Sequence, residues 1–451
     1  MLTSISVFSQ DGTISKETLE EIRNSVVLNG DTKALMNAIS SNSIKNLAVN
    51  RENIGKLNSY FSDEIDIKGI TNQKSSGRCW LFTGLNMLRI QVIEKYELKD
   101  FSFSHTYSFF WDQFEKSNLF MEAIIATADK ASDDRTVDWL FKNPIGDGGQ
   151  WTGVVNIVEK YGLVPTEAMP ESENSENTSM ISKLLRRKLR ENGVILRNMK
   201  EDGKSTEELQ AEKIEMLKEI YRMLVLSLGN PPTEFSWQYK NSKGDISEAK
   251  QYTPESFFKE VLDVNLNDYV MFMNDPTREY NQLYEIEYDR HMLEGGNWKY
   301  INLPIDDIKP FAVASIKDKQ AMYFSCDVGK QLDSETGTLD LNNYDYNDLF
   351  GVDFNMSKAD RIKTYDSGSS HGMSLVAVNV EENGEIDKWL LENSWGNRGH
   401  NGFLIMTDDW FNEYMFRLVI HKDYIDAKTL KILDKKAIML PPWDPMFAPE
   451  E

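Results

Sequence analysis

The feature that most restricts the fold is a change of hydrophobic period near residue 302. Before that point apolar residues recur at helical spacing. Within 79–94 the stripe Leu81, Leu85, Leu88 and Val92 advances by four, three and four residues. Within 151–161 Val154, Val155 and Val158 share one face, and Gly162 is placed to cap the end. After residue 302 the period becomes two, and 321–327, 374–380, 388–392 and 402–406 read as short strands bounded by Gly, Asn or Asp. A helical half followed by a β half predicts an α+β architecture and argues against repeated βαβ units.

Between the halves, the composition of 171–300 differs from its surroundings. An acidic, amide-rich loop at 171–179 leads into a basic helix and then a long one. The long helix opens with Ser205 three residues before Glu208, a capping-box spacing, and closes at Gly229. Its narrow stripe of Ile214, Leu217, Tyr221, Leu224 and Leu228 suits packing against another helix, including one from another subunit. Residues 14–60 read as one or two polar amphipathic helices, with Leu19, Ile22, Val26 and Val27 on one face and a break at Asn29-Gly30-Asp31. The expected divisions are an N-terminal helical extension (1–60), a helical lobe (61–170), a helical insertion (171–300), a β lobe (301–440) and a tail (441–451).

Charge and cysteine content narrow the functional classes. Fifty Lys and Arg against 72 Asp and Glu leave a net charge of −22, which repels phosphate backbones and anionic membranes. Two cysteines, Cys79 and Cys326, cannot staple 451 residues, so a reducing compartment is expected. The first residues lack a secretory leader pattern, and no run of about eighteen apolar residues occurs. The expectation is a cytoplasmic protein.

Cys79 opens an apolar helix, where unpaired N–H groups and the helix dipole stabilise a thiolate. Gly77 and Arg78 before it allow a sharp bend, and Gln73 stands in a polar loop from which its amide could donate beside the sulfur. A thiolate needs a base, and the base needs an orienting partner. Of His105, His291, His371, His400 and His421, only His371 follows a run of small residues, Ser367-Gly368-Ser369-Ser370, and opens a strand. Asn393 lies 22 residues on, within Glu392-Asn393-Ser394-Trp395-Gly396. The expected geometry has the Asn393 carbonyl accepting from His371 Nδ1–H, with Nε2 facing the sulfur and Trp395 shielding the bond. The other histidines show no metal-ligand spacing and read as structural or surface groups. Cys326, in an apolar strand without a neighbouring histidine, reads as a buried hydrophobe. The acidic run 339–348 lacks the glycine and terminal glutamate of a calcium loop and reads as solvated. Lys183, Arg186, Arg187, Lys188 and Arg190 read as a solvated helix face paired with surrounding acids, with nucleic-acid binding as an alternative that the net charge opposes.

Gln73, Cys79-Trp80, His371 and Asn393-Ser394-Trp395-Gly396 resemble the active-site segments of papain-like cysteine peptidases. More narrowly, Ser76-Gly77-Arg78-Cys79-Trp80, Gly146-Asp147-Gly148-Gly149-Gln150-Trp151, Ala168-Met169-Pro170, Cys326-Asp327-Val328-Gly329 and Pro442-Trp443-Asp444-Pro445-Met446 are similar to the bleomycin hydrolase/aminopeptidase C family. The 292 residues from Cys79 to His371 exceed the roughly 130–150 of simple papain-like chains, and 171–300 accounts for the surplus.

The resemblance implies a two-lobed fold with Cys79 as nucleophile, His371 as base, Asn393 as its orienter and Gln73 as oxyanion donor. It implies a substrate strip at Gly148, Gly149 and Gln150, a side-chain pocket near Ser370 and Gly372, and capture of the substrate amine by the terminal carboxylate of Glu451. It also implies peptide substrates, a ring-shaped homohexamer and neither metal nor organic cofactor. Aminopeptidase activity is expected. Because the chain ends in Pro449-Glu450-Glu451 and carries Gly368-Ser369-Ser370 and Gly372 beside the pocket, an endopeptidase or oligopeptidase is the alternative.

Overall fold

Arg78 ends a loop, and the next residue begins helix α1, Cys79–Lys95, which is buried almost all round from Trp80 to Ile93. Its hydrophobic stripe is therefore only part of its buried surface, as expected of a helix enclosed by others. The computed structural model describes residues 12–447, so the expected role of Glu451 falls outside the described residues.

The described chain divides into two units. One comprises 12–53 with Tyr344–Phe354, the other 54–343 with 355–447. The smaller unit holds four short helices: Tyr346–Phe350, and within 12–53 Lys16–Asn24, Gly30–Ser41 and Ile44–Leu47, where one or two were expected over 14–60. The expected break is a helix start: Asn29 Oδ1 accepts from Thr32 N–H at 2.8 Å.

In the larger unit α1 is followed by α2 (His105–Ala126), α3 (Trp151–Tyr161), α4 (Ser179–Glu201) and α5 (Thr206–Leu228). Gly162 ends α3 at φ +69°, a conformation that favours glycine. Ser205 and Glu208 form the capping box that opens α5, and Gly229 closes it. The stripe of α5 packs on α2 and α4 of the same chain, burying Leu217, Leu224 and Leu228. Ile214 lies outside the buried face and is 49% exposed. The helix partner that the stripe called for is thus supplied within the chain.

Apart from Asp63–Glu64 and a separate pair, Phe235–Trp237 with Lys250–Tyr252, the longer strands are β1 (Tyr269–Met273), β2 (Gln282–Ile286), β3 (Lys299–Asn302), β4 (Met322–Cys326), β5 (His371–Val380), β6 (Ile386–Glu392), β7 (Phe403–Thr407), β8 (Met415–His421) and β9 (Ile438–Leu440). They join one mixed sheet in the order β9-β2-β3-β1-β8-β4-β5-β6-β7, extended by Thr338–Leu339 and Leu332–Asp333. Three of these strands lie in 269–302, inside the segment expected to be a helical insertion. The β lobe therefore begins about thirty residues earlier than expected. A run such as Tyr-Val-Met-Phe-Met is apolar throughout because its strand is covered on both faces, so it shows no alternation.

Each face of the sheet has its own core. In β4, Met322, Phe324 and Cys326 enter one core, while Tyr323 belongs to the other, which contains α1 to α3. Helix α1 lies against β5 and α3. At Gly84 a Cβ would stand 2.6 Å from Val154 Cγ2, so only a glycine lets the two helices approach this closely.

Candidate active site

Cys79 and His371 line one cavity of about 650 Å³, although 292 residues separate them. The sulfur enters from the first residue of α1 and the imidazole from the first residue of β5. Cys79 is half-buried, whereas the ring of His371 is buried.

The ring bond differs from the expectation. His371 Nε2, and not Nδ1, lies 2.8 Å from Asn393 Oδ1. Ser394 N–H donates to the same oxygen at 2.8 Å, which fixes that atom as the carbonyl. A carbonyl only accepts, so Nε2 carries the proton and Nδ1 holds the lone pair of the neutral ring. Side-chain rotation decides which edge faces Asn393, and spacing along the chain carries no signal for it. The indole of Trp395 stacks on the imidazole at 4.7 Å between centroids. Burial pulls the imidazole pKa down to about 4, partly opposed by the bond to Asn393.

Gln73 is buried but is not among the residues that line the cavity. Its Oε1 accepts from Ser394 Oγ at 2.6 Å, and its Nε2 donates to Ser76 O at 2.7 Å. This amide adds to the backbone bonds Gln73 N–H to Ser394 O (2.8 Å) and Gly396 N–H to Thr71 O (3.0 Å) that join the loop ahead of Cys79 to the segment after β6.

Gly148, Gly149, Gln150, Ser370 and Gly372 all line the cavity. Gly149 is required by space, since a Cβ there would stand 2.4 Å from His291. The Gln150 side chain is committed to capping α3, with Oε1 accepting from Thr152 N–H at 2.6 Å. Ser370 Oγ accepts from Val328 N–H at 3.2 Å. At Gly372 a Cβ would stand 3.0 Å from Thr83 Oγ1, so a larger residue there would press on α1.

Several lining residues escaped the sequence reading. His291, expected to be structural or on the surface, is buried in the cavity wall with Nδ1 2.5 Å from Asp112 Oδ1. Asp112 Oδ2 accepts from Lys116 Nζ at 2.9 Å, and Lys116 also donates to Gly146 O and Gly148 O. The i,i+4 pair on α2 and the glycines at 149 and 153, which leave room for the ring, were the available signals. Arg186, though exposed, lines the cavity too. Lys188 pairs with Glu219, while Arg190 donates to the carbonyls of Phe141 and Lys142. Arg78 is fully buried and forks onto Glu171 at 3.2 and 2.9 Å. Cys326 is buried, and burial pushes its thiol pKa well up.

Among the described residues no three His, Cys, Asp or Glu side chains are grouped to hold a metal ion. No helix among them is long and apolar enough to cross a membrane.

The chain matches the Peptidase C1-like family over residues 13–447. It is 42% identical to bleomycin hydrolase of Mus musculus, across 84% of this chain and 86% of the relative. It is 38% identical to aminopeptidase C of Lactobacillus delbrueckii subsp. lactis, across 96% and 98%. The crystal structure of PepW from Lactobacillus rhamnosis HN001 superposes with a TM-score of 0.93 at 37% identity, covering 97% of this chain and 99% of that one.

Proposed function

Because the chain belongs to the bleomycin hydrolase/aminopeptidase C family and is a papain-like cysteine peptidase, we propose that it releases N-terminal residues from small peptides through a Cys79 thioester. The observation that carries the residue assignment is the convergence of Cys79 and the Asn393-bound His371 in one cavity.

In this reading the thiolate–imidazolium pair forms between Cys79 and His371 Nδ1. The sulfur attacks the peptide carbonyl, and the oxyanion is held by Cys79 N–H and the second N–H of Gln73. His371 Nδ1 then gives its proton to the leaving amine. Water, deprotonated by the same nitrogen, hydrolyses the thioester. Asn393 keeps the ring in the required tautomer, and Gly148 and Gly149 pair with the substrate backbone.

Aminopeptidase action needs a cleft closed at one end. Supporting this, Pro442, Met446 and Phe447, at the end of the described chain, line the cavity. The test compares a free-amine dipeptide amide with an N-acylated longer peptide, before and after removal of residues 448–451. Preference for the free amine that disappears on truncation is the expected result. Rapid cleavage of the blocked peptide by the intact chain would establish the endopeptidase alternative.

We further propose the homohexamer, supported by apolar side chains exposed on α4 and α5, among them Met180, Val194 and Leu226. Light scattering should give about six times the 52.0 kDa chain mass, and a monomer would overturn the proposal. The charge of −22 supports a chain that does not hold nucleic acid, and two cysteines outside disulfides support a cytoplasmic location.

A further inference from the structure

Three arginines line the catalytic cavity of this acidic chain: Arg186 from α4, Arg290 from the segment between β2 and β3, and Arg417 from β8. Elsewhere Arg78, Arg89, Arg278 and Arg361 each hold a carboxylate. Among the described residues none of the three cavity arginines has a carboxylate oxygen within 4.0 Å. Arg417 is occupied in another way, lying 4.2 Å over the Trp298 ring and within the electrostatic reach of Asp289.

Arg186 and Arg290 differ. Arg186 uses only Nε, donating to Ile145 O at 3.0 Å, just before the Gly146–Gly149 strip. Arg290 Nε is buried with no hydrogen-bond partner, and the next residue, His291, is packed against Gly149. Both cations are therefore tied to the strip proposed to hold the substrate backbone. The aspartates in the cavity form no ion pair with either of them. Asp147 accepts from the Thr178 and Ser182 hydroxyls, and Asp289 accepts from Gln150 Nε2 at 3.4 Å.

Arg290 is half-buried with its Nε shut away from water and unpartnered, a desolvation cost that an incoming anion relieves, whereas Arg186 is exposed and contributes charge. The planar guanidinium fork matches a carboxylate with two parallel N–H donors. In a chain of −22, two such cations inside a cavity also give an acidic ligand a local attraction that the outer surface denies it.

We propose that Arg290 and Arg186 form a carboxylate-binding subsite of the catalytic cavity, selecting peptides that carry an acidic side chain or a free C-terminal carboxylate. The proposal rests on the peptidase reading above and adds a substrate preference to it.

Calorimetry on the Cys79→Ala chain tests it without turnover. Short peptides are compared with Glu or Gln at each position in turn, and with acid or amide ends. The carboxylate form should bind about tenfold tighter or better at low salt, with the advantage shrinking as salt rises. Response to Glu/Gln identifies a side-chain carboxylate, and response to acid/amide identifies the chain end. Arg290→Met should abolish the preference and Arg186→Met should reduce it. The same titrations on a chain lacking residues 448–451 show whether the protein's own Glu450 and Glu451 compete. A preference that emerges only after truncation still supports the subsite. Equal affinity for charged and neutral forms in both chains overturns it. Hydrolysis of the Gln peptide by the chain with intact Cys79 reports the peptidase reading separately.

Discussion

Asn393 Oδ1 takes two donors, His371 Nε2–H and Ser394 N–H, so replacing this side chain releases the imidazole from its tautomer while leaving Cys79 untouched. Asn393→Ala should lower kcat by about tenfold to a hundredfold, the range of a hydrogen bond to a group that becomes charged, with little change in KM. Steady-state kinetics with a dipeptide amide checks this, and an unchanged kcat would remove Asn393 from the mechanism. The same bond favours the charged ring, so its loss should also move the alkaline limb of kcat/KM, where the imidazolium of the pair deprotonates, to lower pH. Which ring nitrogen meets the asparagine was not legible in the sequence. Residue types at 371 and 393 allow either edge, and the choice belongs to packing against Trp395.

Elements meet through a few contacts that local pattern does not specify. At the crossing of α1 and α3, Gly84 faces Val154 with no room for a methyl group. Gly84→Ala should cost about 1–3 kcal/mol in a denaturant titration and displace Cys79 with its helix. The buried pair of Arg89 on α1 and Glu392 at the end of β6, 2.5 Å apart, joins the nucleophile's helix to the strand that precedes Asn393. Burial raises the Glu392 carboxyl even with Arg89 beside it, so the pair gains little over apolar packing. Breaking it is another matter. Glu392→Leu leaves a buried guanidinium without its carboxylate and should destabilise by about 3–5 kcal/mol, whereas Arg89→Met with Glu392→Leu should restore much of that loss. The end of α3 and both ends of α5 were legible because Gly162, Ser205 and Gly229 are local punctuation. The strands within 269–302 were not, since burial on both faces erases alternation.

For the whole molecule, three buried histidines share one sign. Burial lowers His371 to about 4 and His105 to about 3, and lowers His291 despite Asp112. In the unfolded chain they protonate near 6.5. Between that value and the folded values the unfolded state binds more protons, so stability falls as pH drops from about 6.5 toward 4. Lys358, lowered by burial to about 7, extends the same upward slope above neutrality. In urea midpoints measured from pH 4 to 8 the histidines and Lys358 contribute a rise of up to ~1.4 kcal/mol per pH unit for each group that titrates, opposed in the acid range by the raised carboxyls of Glu392 and Asp327. His105→Phe, which preserves the stacking on Phe82, should flatten the acid part; an unaltered slope would exclude that histidine. The sequence by itself determined the kinds of residue that carry the chemistry, their order, the helical start of Cys79, the strand start of His371 and the α+β class. Each is written in local spacing, capping residues and period. Only the tertiary structure decided that Nδ1 is left for the sulfur, that α5 packs within its own chain, that 269–302 joins the sheet, and that Arg186 and Arg290 line the cavity without carboxylates. Those outcomes depend on contacts between residues far apart in the chain, where burial and pairing are set by the partner and not by the neighbouring sequence.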